Sequence, residues 1–569
     1  MKLNYIPLII LFFNFTCFAQ GFEWVKHIEG TGTKNITHSV MDDSDNLYVA
    51  GYFDGETDFD PTGNDNSINA NGAYYAFLTQ YNSSGDLQWV KAIETSSFVV
   101  INKLLIVNNG IYVAGYFRES ADFDSGTTVL TASLSSGSKM FLAFYDLDGN
   151  FQWVEGWTNS SAKTTPQDLV VDSEGNLHIT GNYYEGLFRP DPNNNAVVYS
   201  STRQKGFWIT LDSSSNYMRS NQFGDPANTW YNYDSVDNII MNGTNHVLIS
   251  GRFRGSFDFD FDSGTSVLEN ENGASFFAKY LLDGTLVWVK QLERVESQHL
   301  ICDSEGNIFA TGIYGGNVDF DPSDTSEYIV EGFGSYYDNY LFKWNNNGEF
   351  NWAFGFGSNY GPADSSNAIA LDGDSVYITG GITYANEVDF DPDPNETFGI
   401  TANGISDYFC ARYTTEGDFI WVHSLSGDQA LTSDVSGKGI MINSMGKVYS
   451  VGEFSDTVDF NSGSELITAQ GYKDIFLMRL DNEVLGIQEE SLENSLNIYP
   501  NPVSNDLFIK AKSVLQNLNI YNIEGQLIYS AYLNNYKSEI DLSHLTTGVY
   551  LLKVYAKDGL TMTRRLIKK

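Results

Sequence analysis

The sequence predicts an all-β chain in which a seven-bladed β-propeller, closed by its N-terminal strand, precedes a further run of short strands. Three observations support this prediction. Aromatic residues make up 15% of the 569 residues and 52 glycines supply turns, a composition typical of many short strands. A pattern of four strands recurs seven times along the chain. The two ends of this repeated region are incomplete in complementary ways.

Each repeat has landmarks that recur about every 66 residues, a period typical of blades or solenoid coils. The first landmark is an alternating strand that ends in glycine, at Gly51, Gly115, Gly181, Gly251, Gly312, Gly380 and Gly452. The second is an Asp-Phe-Asp tripeptide, as at 258–260, which the third repeat lacks. An aromatic strand and a strand with tryptophan complete the unit.

The ends of the array favour a closed ring over an open solenoid. The array starts at residues 22–25 with a tryptophan strand and finishes near Leu480 with the first three strands of a unit. If the N-terminal strand completes the last blade, no strand edge along the ring stays unpaired. Residues 20–483 are therefore assigned to the propeller. Residues 22–483 resemble the β-propeller repeats of bacterial surface proteins, a resemblance that implies the fold and not an activity.

The N-terminus has the pattern of a signal peptide. Residues 1–19 begin with Lys2, continue through an apolar run and end at Ala19, so we expect cleavage before Gln20. No other segment is apolar enough to span a bilayer, which predicts a mature chain without a transmembrane segment. Cys302 and Cys410 are expected to be buried free thiols.

The formal net charge of −40 limits the possible partners. So acidic a chain repels phosphate backbones, which excludes nucleic acid and anionic membrane surfaces as favourable partners. Cations and neutral or basic ligands remain compatible with it. The last 76 residues differ, because residues 494–569 contain nine Lys and Arg against five Asp and Glu.

This C-terminal region, which follows a polar linker at 484–493, contains several ordered motifs. Their residues include Tyr499, Pro500, Asn501, Pro502, Gly525, Gly548, Lys568 and Lys569. Residues 494–569 thereby resemble the type A sorting domain of the type IX (Por) secretion system. The resemblance implies a small immunoglobulin-like β-sandwich that engages the type IX machinery. It also implies passage through the periplasm and outer membrane, removal of the tail, and a product that is secreted or anchored at the outer surface.

The long connections between the second and third strands of each repeat should lie on one face of the propeller, which we expect to be the functional face. The third and fourth repeats interrupt the pattern there with basic and aromatic residues. We expect a platform that stacks on sugar rings or pairs with carboxylates of an acidic polysaccharide. Its residues are Tyr183, Tyr184, Arg189, Trp230, Tyr231, Arg252 and Arg254. Alternatively, the arginines pair with nearby aspartates and Trp230 fills a gap between blades.

The repeated tripeptide allows two interpretations. In the first, its phenylalanine packs between blades and its aspartates accept hydrogen bonds from turn amides. In the second, the carboxylates bind calcium, for which Asp258, Asp260 and Asp262 are the best candidates. The sequence requires no cofactor, and calcium is the alternative left open.

Motifs of common enzyme classes are missing from the sequence, including Gly-x-Ser-x-Gly, His-Glu-x-x-His and the phosphate-binding loop. We therefore expect a binding or adhesion module for a polysaccharide or a surface protein. The alternative is a propeller enzyme, either a polysaccharide lyase or a glycoside hydrolase, that uses carboxylates on the long-loop face.

Overall fold

The computed structural model divides into two compact units, Gln20–Asn482 and the C-terminal unit that begins at Glu483. It describes residues 20–569 except 125, 133–136, 226–232, 324, 335–336, 358–363, 384–386, 403, 428–432, 462–463, 485–495, 523–526 and 557–560. The predicted signal peptide and nearly all of the predicted linker lie outside the described residues. Within the described part of the chain, no helix is long and apolar enough to cross a membrane.

The first unit is a seven-bladed β-propeller, as predicted, and each blade is a four-stranded antiparallel sheet. Blades 1 to 3 consist of Lys34–Met41, Leu47–Phe53, Tyr75–Tyr81 and Leu87–Ile93; Phe98–Val107, Gly110–Arg118, Lys139–Tyr145 and Phe151–Gly156; and Lys163–Val171, Leu177–Tyr184, Lys205–Leu211 and Tyr217–Phe223. Blades 4 to 6 consist of Ser235–Met241, His246–Asp258, Val267–Leu281 and Leu286–Glu293; Val295–Cys302, Ile308–Gly315, Tyr337–Trp344 and Phe350–Phe356; and Ser365–Asp372, Ser375–Ile382, Asp407–Thr414 and Phe419–Leu425. Blade 7 consists of Val435–Ile442, Val448–Phe454, Asp474–Val484 and the N-terminal strand Gln20–Gly30.

The predicted closure of the ring is confirmed. The first strands of neighbouring blades contact one another around the axis, including those of blades 7 and 1. The N-terminal strand Gln20–Gly30 is hydrogen-bonded to Asp474–Val484 and forms the outermost strand of blade 7. Side chains reinforce this pairing, because the Glu23 carboxylate forms ion pairs with Lys447, at 2.7 Å, and with Arg479.

The landmark glycines are explained by close approach of two strands. A Cβ atom on Gly251 would lie 2.1 Å from the carbonyl oxygen of Ser235 on the first strand of its blade. The other six landmark glycines meet a first-strand carbonyl in the same way. Any larger residue would push the two innermost strands of the blade apart, so the glycine marks the second strand of every blade.

The long connections that the sequence presents as loops are largely β-hairpins. Their strand pairs are Glu56–Asp58 with Ser67–Asn69, Ser120–Asp122 with Val129–Thr131, Gly186–Phe188 with Tyr199–Ser201, Val318–Asp319 with Ile329–Val330, Val388–Asp389 with Gly399–Ile400, and Thr457–Asp459 with Leu466–Thr468. In blade 4 the hairpin continues the second and third strands directly. Bridges such as Glu94 with Asp122 and Gly427 with Val458 tie hairpins to the segment that follows the preceding blade's outer strand.

The tripeptides hold these hairpins in place. Their phenylalanines are buried, at Phe59, Phe123, Phe259, Phe320, Phe390 and Phe460. Phe390 of blade 6 contacts Phe356 of blade 5 at 5.0 Å between ring centroids, so it packs between blades. The first aspartate accepts backbone N–H groups, as Asp389 does from Asp391 at 3.1 Å and from Phe398 at 2.8 Å.

The two cysteines are structural. Neither Cys302 nor Cys410 forms a disulfide, and Cys410 is buried while Cys302 is partly buried. Burial raises the pKa of Cys302 to about 11 and the pKa of Cys410 to about 12, which leaves both as unreactive thiols near neutral pH.

The C-terminal unit contains strands Leu496–Tyr499, Asp506–Tyr521, Leu527–Asp541, Gly548–Ala556 and Thr561–Lys568 in one antiparallel sheet. The two long strands have a register break between Lys510 and Leu515, and a buried apolar cluster that includes Leu507, Leu518 and Leu552 forms the core. This sheet-rich arrangement is consistent with a β-sandwich.

A buried ion cluster lies where the N-terminal strand, blade 1 and blade 7 meet. The fully buried Lys34 ammonium is 2.8 Å from Oδ1 of Asp474, and His27 Nε2 is 2.7 Å from Oδ2. Burial favours a raised pKa for Asp474, but the hydrogen bond with His27 and the Lys34 charge outweigh it and hold the pKa below its ordinary value. The cluster therefore ties the closing strand to both blades that it joins.

We expect Asp474→Asn to lower the free energy of unfolding by about 3–5 kcal/mol, because it leaves the buried Lys34 ammonium without its counter-charge. Because the pKa of Asp474 is lowered in the folded protein, the charged carboxylate contributes its full stabilisation at pH values above the ordinary carboxyl pKa. This stabilisation is lost as the pH falls through the lowered folded-state pKa. Wild type and variant should thus converge in acid. All ten tryptophans precede residue 484, so urea unfolding followed by tryptophan fluorescence measures the propeller alone.

The matched control is Asp338→Asn, at the same third-strand position of blade 5. Burial raises the pKa of Asp338 to about 6. Its charge therefore costs stability above that pH and nothing below the ordinary carboxyl pKa. We expect this variant to be more stable than wild type at pH 7.5, by up to about 3 kcal/mol. Equal effects of the two substitutions would contradict the assigned roles.

Candidate binding site around Arg252

Polar residues collect on the innermost strands because each first strand contains a β-bulge at the same point. One residue per blade is left out of the pairing with the second strand. These seven residues are Thr37, Asn102, Gln167, Asp237, Gln298, Asn367 and Lys438. In blade 4 the bulge therefore places a carboxylate next to the axis of the ring.

Arg252 follows the landmark glycine of blade 4 and contacts two carboxylates. Its Nη1 lies 3.3 Å from Oε1 of Glu296 on the first strand of blade 5, and its Nε lies 3.7 Å from Oδ2 of Asp237. Nε also donates to Ser235 Oγ at 3.4 Å. The arginine side chain keeps 30% of its surface exposed. We call Arg252, Asp237, Glu296, Tyr184 and Tyr233 the Arg252 cluster.

Two tyrosines flank this ion network. Tyr184 ends the second strand of blade 3, and Tyr233 lies in the connection into blade 4, where its ring rests against Gly273. Burial raises the pKa of both phenols, and Asp237 adds to the shift of Tyr184. Both rings are partly exposed, so each can contact a ligand.

The charged groups of the cluster shift one another's pKa values. Burial raises the pKa of Asp237, and Arg252 opposes that shift. Burial works to lower the pKa of Arg252, but Asp237 and Glu296 outweigh it and raise the pKa. Two carboxylates thus surround the guanidinium of Arg252, and the charge of Arg254 also acts on Tyr233. Sugar hydroxyls could donate hydrogen bonds to these carboxylates.

The predicted platform is only partly assembled. The charge of Arg252 acts on Tyr184 and on Tyr233, and the charge of Arg254 acts on Tyr233. Trp230 and Tyr231 lie outside the described residues. For Arg252, the alternative of local pairing with carboxylates is the one observed.

Two predicted platform residues are misplaced. Tyr183 is fully buried and stacks on Phe188 at 5.1 Å, so it belongs to the core of blade 3 and cannot contact a ligand. Arg189 lies elsewhere, with Nη1 donating to the Asn159 carbonyl at 2.7 Å, and holds the blade 3 hairpin to the preceding connection. Alternation along a strand explains the first error, because Tyr183 and Tyr184 must point to opposite sides.

Sequence reasoning missed Asp237, Glu296 and Tyr233. Tyr233 lies at the end of the aromatic segment that contains Trp230, so its position was a usable signal. Asp237 could have been found by aligning the first strands, where it is the only acidic residue among the seven bulge positions. Glu296 comes from the next blade, and no local pattern links it to Arg252.

Of the best calcium candidates, Asp258, Asp260 and Asp262, the first two carboxylates bond to the hairpin backbone, as the first interpretation of the tripeptide expects. Among the residues the structure describes, no group of three or more His, Cys, Asp or Glu side chains is arranged to hold a metal ion. Asp258 Oδ1 accepts N–H groups of Asp260 at 3.1 Å and Ser266 at 2.8 Å, and Asp260 Oδ1 accepts that of Asp262 at 2.9 Å. The carboxylates are used by the hairpin backbone.

The C-terminal motifs meet in space although they are far apart in sequence. Asn501 Oδ1 accepts the N–H of Ile567 at 2.9 Å, and Val503 exchanges backbone hydrogen bonds with Ile567 and Lys569. Gly548 is paired with Lys568, and Tyr499 stacks on Phe508 at 5.8 Å. Gly525 lies outside the described residues. The motif at the start of the domain thus fixes the last strand of the chain.

Parts of the chain are similar to known proteins. Residues 497–569 match the family of secretion system C-terminal sorting domains. The chain is 23% identical, over 444 residues or 70% of its length, to an uncharacterized WD repeat-containing protein of Acanthamoeba polyphaga mimivirus. The match spans only 28% of that relative's length.

Among solved structures, the Dos1 propeller aligns over 81% of this chain and 96% of its own, with 8% identity and a TM-score of 0.37. PorZ, a bacterial surface component of the type IX secretion system of Porphyromonas gingivalis, aligns over 96% of this chain and 100% of its own, with 11% identity and a TM-score of 0.17. The chain thus ends in a type IX sorting domain, which directs export of the propeller to the cell surface or beyond it.

Proposed function

We propose that the exported propeller is a binding module that holds neutral carbohydrate at the Arg252 cluster. The observation that carries the proposal is the guanidinium of Arg252 held between Asp237 and Glu296, with Tyr184 and Tyr233 beside it. Carboxylates accept hydrogen bonds from sugar hydroxyls, and tyrosine rings stack on the apolar faces of sugars. The ion network also fixes the polar groups before a ligand arrives, which lowers the entropy cost of binding.

The choice of a neutral ligand rests on charge. The chain has a net charge of −40, and the cluster itself has two carboxylates against one arginine. Long-range repulsion from the net charge therefore acts against uronic acids and sulfated sugars. The sequence analysis suggests an acidic polysaccharide as the ligand, whereas this proposal favours a neutral one.

We expect a glycan array to show binding of the full chain to neutral glycans, and Tyr184→Ala to weaken a neutral hit about tenfold because one stacking ring is lost. Titration calorimetry on that hit provides the measurement. Tyr472→Ala is the matched control, because Tyr472 is 76% exposed on blade 7 and should leave the affinity unchanged. Preference for acidic glycans, or equal affinities of both variants, would refute the site.

Carbohydrate cleavage is a second candidate function, favoured by the pair of Asp237 and Glu296. A carboxyl whose pKa is raised by burial can donate a proton to a leaving oxygen while a second carboxylate serves as nucleophile or base. We expect Asp237→Asn to abolish product release from a bound neutral glycan while binding persists, as measured by chromatography of the products. Absence of products from the wild-type chain would rule out cleavage and leave binding as the remaining candidate function.

Export is tested by removing the sorting domain. In a host with a type IX system, we expect the full chain at the cell surface or in the medium, and a chain that lacks residues 497–569 in the periplasm. Quantitative blotting of the three fractions measures the distribution. Asn501→Ala tests the internal geometry, since it removes the acceptor of the Ile567 N–H and should reduce export without removing any strand. An unchanged distribution of the truncated chain would disprove the sorting role.

A further inference from the structure

A second cavity, unrelated to the Arg252 cluster, opens between blades 5 and 6 and has a volume of about 410 Å³. Its aromatic lining consists of Tyr328, Trp352, Phe354 and Phe419. Trp352 and Phe354 are stacked at 5.6 Å with an interplanar angle of 14°. The indole lies over Gly417 of blade 6 and donates to the Thr415 carbonyl at 3.2 Å. We call this cavity the Trp352 groove.

The remaining walls of the Trp352 groove are acidic. Five carboxylates line it, from Asp391, Asp393, Glu396, Glu416 and Asp418, and no lysine or arginine does. Glu416 pairs with Lys343 at 3.0 Å, and among the described residues it is the only one of the five within 4 Å of a lysine or arginine nitrogen. The groove thus combines partly exposed π faces with unneutralised negative charge.

The same groove exists between blades 2 and 3 without the charge. There Trp153, Phe144 and Tyr112 form the aromatic wall, and Glu155 is the only charged residue in the lining. The tryptophan is therefore a product of the repeat, and so is Asp391, the second aspartate of the blade 6 tripeptide, which the third repeat lacks. The other four carboxylates distinguish the groove between blades 5 and 6 from the one between blades 2 and 3.

We propose that the Trp352 groove binds an alkylammonium group, such as that of a polyamine or a lysine side chain. An ammonium over an indole gains cation–π energy. The carboxylates add Coulombic attraction, and the methylenes next to the nitrogen can lie on Phe354 and Tyr328. Because the charges are exposed, binding should weaken as ionic strength rises.

The test uses the full-length protein with spermine and with tetralysine as probes, measured by titration calorimetry in 150 mM NaCl. We expect one saturable site whose affinity falls at least tenfold in Trp352→Ala and in Asp391→Asn/Asp418→Asn. Trp352→Phe keeps an aromatic wall and should retain most of the affinity, which guards against a variant that fails to fold. Binding of tetralysine but not spermine would identify protein lysines as the source of the ammonium group.

Two controls separate the groove from diffuse attraction to an acidic protein. Trp153→Ala removes the equivalent ring from the groove between blades 2 and 3. Glu174→Gln/Glu271→Gln removes two exposed charges elsewhere. Both should leave the affinity unchanged. Equal losses in the control and groove variants, or no saturable site for either probe, would overturn the proposal, and neither result would affect the carbohydrate site.

Discussion

The pairing of strand Gln20–Gly30 with strand Asp474–Val484 is the contact on which the whole propeller depends. It joins residues more than 440 positions apart and leaves blade 7 with the four strands that every other blade has. The Lys34, Asp474 and His27 cluster is specific to this seam. Other seams use different groups at the same position, such as Lys205 with Asp234 between blades 3 and 4. Because a misplaced neighbour would leave a buried charge unpaired, these differences favour one order of blades.

The proposed carbohydrate site lies where one blade departs from the pattern of the repeat. The residue after each landmark glycine has the same backbone environment in every blade, yet its identity changes from Tyr52 to Arg252 to Glu453. The backbone at this position is therefore the same in all seven blades while the side chain differs, so the single arginine among them can form contacts that no other blade has. The groove between blades 5 and 6 combines a tryptophan, which the groove between blades 2 and 3 also has, with carboxylates that the latter groove lacks.

The fold could be predicted because the sequence motifs of the blades recur. The site could be predicted only in part, because its residues occur once each. Complementary ends predicted closure, and seven copies of one pattern outweighed any irregular blade. Arg252 and Tyr184 were found as departures from that pattern. Glu296 was missed because it reaches Arg252 from another blade. Tyr183 was wrongly included because a basic and aromatic composition does not reveal which of two adjacent strand residues faces the core.

The contacts of the acidic residues show that their carboxylates have several different roles. A net charge of −40 is compatible with solubility alone, but the carboxylates of this propeller are sorted into distinct uses. Those of the tripeptides are held by backbone N–H groups, and those of Asp237 and Glu296 are held by Arg252. The carboxylates of the Trp352 groove face an open aromatic cavity. Asp391 belongs to two of these groups, since it is a tripeptide aspartate that accepts the N–H of Asp393 and also lines the groove, so the organic cation that we propose would meet a carboxylate already positioned by its hairpin.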